Sequence, residues 1–182
     1  MAAVWLVRHA QTLLRGVCYG QCEVPVELEP AQAARLIAVQ WAQKGLASPP
    51  EVWTSPWVRA QSVAVELARA WLVPCHVDAR LSELSFGVWE GREYAEIERT
   101  DAARFRHWMQ SYEHEAPPGG ETVAELRTRV AAWLDERKAG ASTVLAVTHA
   151  GVVRTSRAVI GGRPYSAVVG EEVPHLLLER VL

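Results

Sequence analysis

Four consecutive large apolar residues, Val4 to Val7, run directly into the pair Arg8-His9. An apolar run without polar alternation predicts a strand buried on both faces. Residues 143–148 repeat the pattern and end at His149, after which Val152 to Ile160 continue as a helix. Residues 51–54 predict a shorter strand after Pro49-Pro50. Residues 73–78 predict an edge strand, since Pro74 has no N–H to give to a ladder. Between these runs the period changes. Ala33, Leu36, Ile37, Gln40 and Trp41 have helical spacing within residues 31–44, and Gly45 is the stop. Trp57, Ala60, Ala64, Leu67 and Trp71 share a face of a second helix, with Ser55 as its N-cap and Pro56 in its first turn. Residues 92–112 predict one charged helix carrying Tyr94, Ile97, Phe105 and Trp108 on a stripe. Pro117-Pro118-Gly119-Gly120 breaks the chain, and Thr122 to Glu125 has the form of a capping box. Val123, Leu126, Val130, Trp133 and Leu134 give the helix that follows a core face. Residues 175–181 predict a last strand, and residues 13–30 a long loop.

Strands that alternate with helices predict an α/β fold, a three-layer sandwich with a mainly parallel sheet and helices on both faces. A length of 182 residues, 49% of them apolar, suits a single domain over 1–182. The net charge of -2 gives no reason to expect nucleic acid or an acidic membrane surface as partner. No apolar run approaches the ~18 residues of a membrane span, and no charged-then-apolar leader opens the chain. Cys18, Cys22 and Cys75 have neither a disulfide framework nor a zinc spacing, which predicts reduced thiols in a cytoplasmic protein. The eight Trp residues are expected in or beside the core.

In open α/β sheets ligands bind at the carboxyl ends of the strands. Three predicted strand ends carry Arg8-His9, Arg59 and His149. Arg59 falls in the first turn of a helix, where the helix dipole disfavours a cation; an anion to be held would account for it. Glu83 lies between Leu81 and Leu84 near Phe86, company that strips hydration from a carboxylate and suits it to act as a general acid. Two guanidiniums, two imidazoles and one acid match a phosphate monoester. One histidine would attack phosphorus, the other would stabilise charge on the phosphoryl oxygens, and the acid would protonate the leaving alkoxide. No cofactor or metal is called for, since the arginines supply the positive charge. Glu125 is read as a helix cap, and His76 as a strand residue without a catalytic role.

Leu6-Val7-Arg8-His9-Ala10-Gln11-Thr12 resembles the Arg-His-Gly signature of the histidine phosphatase superfamily, the phosphoglycerate mutase-like proteins. Ser55 to Ala60 is similar to the second signature of that family and Thr148 to Gly151 to the third. Leu81 to Gly91 and Pro117 to Glu121 look like its small-phosphatase branch, α-ribazole phosphatase above all. The resemblance implies a phosphoglycerate mutase-like sandwich with a lid at roughly 84–118. It implies His9 as nucleophile and Glu83 as proton donor, with Arg8, Arg59 and His149 binding the transferring group. Ala10 replaces the family's usual Gly, and Gln11 stands where the phosphatases often have Glu. Arg15 occupies the place of a usual Asn and is expected to bind phosphate as a third guanidinium. Gly20 and Gln21, in the loop, are expected to bind substrate. The segment after Gly162 is short for the family. The expected activity is hydrolysis of a small phosphate ester such as α-ribazole 5'-phosphate through a phosphohistidine. The alternatives are phosphoglycerate mutase-type transfer and a non-catalytic phosphate-binding module. Trp89, Tyr94 and Trp108 either pack the lid onto the core or stack on an aromatic leaving group. Oligomeric state leaves no mark on the sequence.

Overall fold

The first strand of the computed structural model, β1 (Val4–Arg8), turns Trp5 and Val7 to one face of a sheet and Val4 and Leu6 to the other. Residues 3–140 and 142–182 are described. Both faces of β1 are covered, which is why its sequence is continuously apolar. After a loop containing the short β2 (Val17–Cys18), α1 (Pro30–Gln43) starts with a capping box between Glu29 and Gln32 and with Pro30 in its first turn. Next come β3 (Val52–Thr54), α2 (Val58–Trp71) and β4 (Cys75–Val77). The following segment holds β5 (Arg92–Glu93), α3 (Tyr94–Thr100) and α4 (Ala102–Ser111). The chain closes with α5 (Val123–Ala139), β6 (Val144–Thr148), α6 (Ala150–Ile160) and β7 (Leu178–Arg180).

The main sheet has the order β4-β3-β6-β1-β7. Its first four strands are parallel, and β7 runs antiparallel to β1 on the far edge. On one face, residues of α1 and α2 such as Ile37, Trp41, Val63 and Leu67 pack on Trp5, Val7, Leu145 and Val147. On the other, Leu126, Val130 and Trp133 of α5 and Val152 and Val153 of α6 pack on Val4, Leu6, Val144 and Ala146. This is the three-layer α/β sandwich that the alternation of strands and helices predicts.

Local structure departs from the sequence reading at two places. Ser55 is not the cap of α2, which begins at Val58 with Trp57 as N-cap. The expected single helix over residues 92–112 is two, broken at Asp101, whose carboxylate accepts the Trp89 indole N–H at 2.9 Å. Around that bond Cys18, Trp89, Ile97 and Phe105, with Phe86 and Trp108 against them, form a small apolar cluster separate from the two faces of the sheet. Antiparallel pairing of β2 with β5 ties the early loop to this segment. No helix among the described residues is long and apolar enough to cross a membrane.

Candidate active site

Strand order builds the site. β3, β6 and β1 are adjacent and parallel, with Thr54 beside Val147 and Arg8 beside Thr148. Whatever follows each strand therefore emerges at one sheet edge. His9 and His149 follow β1 and β6, and their ring centroids lie 5.1 Å apart. His9 Nδ1 is 2.7 Å from the carbonyl oxygen of Ala10. A carbonyl only accepts, so Nδ1 carries the proton and Nε2 presents its lone pair. Burial above all, then the Arg59 guanidinium, hold the pKa of His9 well below the ordinary histidine value. Neutral imidazole with a free Nε2 is the nucleophilic form. His149 is pushed down likewise by burial, then by His9 and Arg59. Its Nε2 lies 2.7 Å from Ser55 Oγ, a hydroxyl that can donate or accept.

Arg59 enters from the first turn of α2 and is 2% exposed. Its Nη1 and Nη2 donate to the carbonyl oxygens of Cys22 and Gly20 in the early loop. Arg8 Nη1 donates to Val173 O at 2.9 Å. Arg8 Nε, Arg59 Nε and His149 Nδ1 are buried and have no hydrogen-bond partner among the described residues. Unpaired guanidinium N–H groups of this kind are costly alone, and an oxyanion is the ligand that collects them.

Glu83 leaves the core between Leu81 and Leu84, which stay in it. Its carboxylate is met by backbone amides as well as apolar neighbours. Gly151 N donates to both carboxylate oxygens at 3.1 Å, and Leu84 N donates to Oε1 at 2.9 Å. Oε1 thus takes two amide donors and Oε2 one, the Gly151 N–H being shared between them. The contact exists only because residue 151 is glycine: a Cβ there would sit 2.0 Å from Glu83 Oε1.

Arg8, Gly20 and Glu83 line a cavity of about 270 Å³, with Tyr19, Phe86, Tyr94, Arg154 and Tyr165 around them. His9, Arg59 and His149 are buried and do not themselves line this cavity. Burial pushes the Tyr165 phenol up to about 12 and raises that of Tyr94, so both remain hydroxyls at neutral pH. Of the other expected residues, Gln21 does not line the cavity; its side-chain amide donates to Glu83 O at 2.8 Å and so supports the acid from behind. Arg15 is not brought to the site. Its side chain is 76% exposed and pairs with Glu27 at 3.4 Å, because the loop turns it toward solvent. Trp89 and Trp108 pack in the small apolar cluster, while Tyr94 faces the cavity.

Sequence reasoning missed Arg154, Ser55 and His175. Arg154 had a usable signal, being a basic residue one turn into the helix that opens at His149. His175 donates from Nδ1 to His9 O at 2.7 Å across 166 residues of chain, and no local pattern announces that. Among the described residues no cluster of three or more His, Cys, Asp or Glu is placed to hold a metal ion.

Comparison with known proteins matches residues 4–176 to the histidine phosphatase superfamily, branch 1. An adenosylcobalamin/α-ribazole phosphatase of Escherichia coli is 25% identical over 169 residues, 91% of this chain and 82% of that protein. A phosphoserine phosphatase of Hydrogenobacter thermophilus is 26% identical over 153 residues, covering 82% and 71%. A bifunctional protein of Mycobacterium tuberculosis is 39% identical over 100 residues, 54% of this chain, and the match spans only 27% of that protein. Among solved structures, the α-ribazole phosphatase from Shigella flexneri superposes with a TM-score of 0.85 at 24% identity, covering 98% of this chain and 89% of that one, so the fold is common to both. With the match running through the strands β1, β3 and β6 and the helix α2 that together place Arg8-His9, Arg59 and His149, this chain belongs to the histidine phosphatase superfamily.

Proposed function

We propose that the protein is a phosphomonoesterase that works through a phosphohistidine. The observation that carries this reading is the neutral His9 imidazole, its Nε2 free, beside His149, Arg59 and Arg8. His9 Nε2 attacks phosphorus and forms the N–P bond as the bond from phosphorus to the ester oxygen breaks. The Glu83 carboxyl gives its proton to the departing oxygen. A water then attacks the phosphohistidine and loses its proton to the Glu83 carboxylate. The N–P bond breaks, and inorganic phosphate and free His9 are returned. The arginines and His149 hold the charge of the equatorial oxygens throughout. No step calls for a metal.

A cavity of about 270 Å³ suits a small ester. Its leaving-group side offers phenols, Phe86 and Arg154. α-Ribazole 5'-phosphate and phosphoserine head the candidate substrates, because relatives bear those names. The segment at roughly 84–118 acts as a lid over the cavity, contributing Leu84, Phe86 and Tyr94 to its wall. The test is His9→Ala assayed against a panel of phosphate esters with radiolabelled phosphate trapping in the wild type. Turnover is expected to drop by about 10⁴ or more, with an acid-labile label on the wild type only. Hydrolysis unchanged in the variant would refute the covalent mechanism.

A further inference from the structure

Arg129, in the second turn of α5, neither lines the cavity nor touches the imidazoles, yet all five of its N–H donors are engaged around the acid. Nε and Nη2 grip the Glu121 carboxylate at 2.6 and 2.8 Å. Nη1 donates to the carbonyl oxygens of Arg80 and Ser82, both at 2.7 Å, and Nη2 donates to Glu83 O at 3.0 Å. The guanidinium therefore pins the backbone of the loop that ends in Glu83. Glu121 carries the constraint to the segment beyond. Its N–H donates to Ser85 O at 2.9 Å, and its Oε2 accepts from Ser85 N at 3.4 Å. The approach is close enough that a Cβ on Gly120 would sit 2.5 Å from Ser85 O. The two ends of the segment 84–118 thus meet at the node that holds the acid.

We infer that Arg129, through its fork on Glu121 and its grip on the carbonyls of residues 80, 82 and 83, is the positioning residue of Glu83 and joins the base of the lid to the proton donor. The inference rests on the phosphomonoesterase reading. It accounts for features the chemistry alone leaves idle: a half-buried ion pair, side-chain exposures 18% and 16%, and a guanidinium saturated by Glu121 and backbone carbonyls next to the acid but outside the cavity. A lysine keeps the charge but cannot reproduce the planar fork. Losing it leaves Glu83 held by Gly151 N, Leu84 N and Gln21 only.

The test uses leaving groups. Departure of an alkoxide needs the proton from Glu83, and departure of 2,4-dinitrophenolate does not. kcat/KM, which reports the step that forms the phosphohistidine, is measured for Glu83→Gln, Arg129→Lys and Glu121→Gln with an alkyl phosphate and with 2,4-dinitrophenyl phosphate. Arg129→Lys is expected to lower kcat/KM for the alkyl ester by about 10² while leaving the activated ester nearly unaffected, the same selectivity as Glu83→Gln. The double variant Glu83→Gln/Arg129→Lys should be no worse than Glu83→Gln alone, because both act on one proton transfer. Thermal melts check that each variant folds, and Glu121→Gln carries the comparison should Arg129→Lys not fold. Equal losses on the two esters in the clamp variants, with selective loss in Glu83→Gln, would overturn the positioning role and leave the enzyme reading standing. Equal losses in Glu83→Gln itself would overturn both.

Discussion

Gly151→Ala separates what the fold needs from what the chemistry needs. Residue 151 lies in the first turn of α6, in a backbone conformation that alanine adopts freely. By intrinsic propensity the change would favour the helix by about 1 kcal/mol. Its methyl group, however, would stand 2.0 Å from Glu83 Oε1 and 3.2 Å from Glu83 Cδ. The carboxylate must retreat by well over an ångström to reach ordinary contact distance. It can do so, since it is the end of a flexible side chain. It gives up the bonds from Gly151 N, worth about 1.5–3 kcal/mol for a charged acceptor, so with the helix gain set against it the net loss of stability is about 0.5–2 kcal/mol. The catalytic cost is larger. A proton donor contributes about 10²–10⁴ in rate, and displacement by an ångström forfeits about 10² of it. Initial rates with an alkyl phosphate, together with a thermal melt, read both quantities. The expected result is a fall in kcat/KM of about 10² or more with a melting temperature lowered by only a few degrees. Turnover at the wild-type rate on the alkyl ester would refute the assignment of Glu83 as proton donor.

Two further outcomes follow from the imidazoles. His9 and His149 have folded pKa values lowered below 6.5, so the unfolded chain binds protons that the native state refuses. The stabilisation is complete above about pH 6.5 and is lost as pH falls, at up to about 1.4 kcal/mol per pH unit for each histidine. Urea unfolding midpoints should therefore drop between about pH 7.5 and pH 5.5, and a flat profile would contradict neutral, buried rings. Ser55→Ala leaves Nε2 of the buried His149 without its 2.7 Å partner, which costs about 1–3 kcal/mol of stability. It should also weaken inhibition by inorganic phosphate, while unchanged inhibition would show that Ser55 does not orient the ring.

The residues most legible in the sequence are those whose role is local. Val4 to Val7 and, within residues 143–148, Val144 to Val147 announce buried strands because both faces of the sheet are covered, and no polar residue interrupts these runs. His9 and His149 are conspicuous because each ends such a run. Ser55 has a local role on paper as a cap, but its hydroxyl meets an imidazole 94 residues away and the helix starts later. Arg15 carries the right charge in a loop of the right kind, yet the loop turns it to Glu27 and solvent. The helix expected over residues 92–112 breaks at Asp101, whose carboxylate takes the Trp89 indole proton, a partner visible only once the chain is folded.

Hydrophobic period thus determined, without any structure, that the protein is α/β, and strand-end chemistry together with the family resemblance singled out Arg8, His9, Arg59, Glu83 and His149 as the candidate groups. Only the tertiary structure decided how they are brought together. The order β4-β3-β6-β1-β7 inserts a strand from the end of the chain between two from its beginning, which puts the histidine after β6 beside the one after β1. Backbone carbonyls and amides from distant segments then set the His9 tautomer, aim Arg59 and hold the Glu83 carboxylate. Those partners are main-chain groups, present at every residue alike, so the sequence carries no sign of which ones will be used.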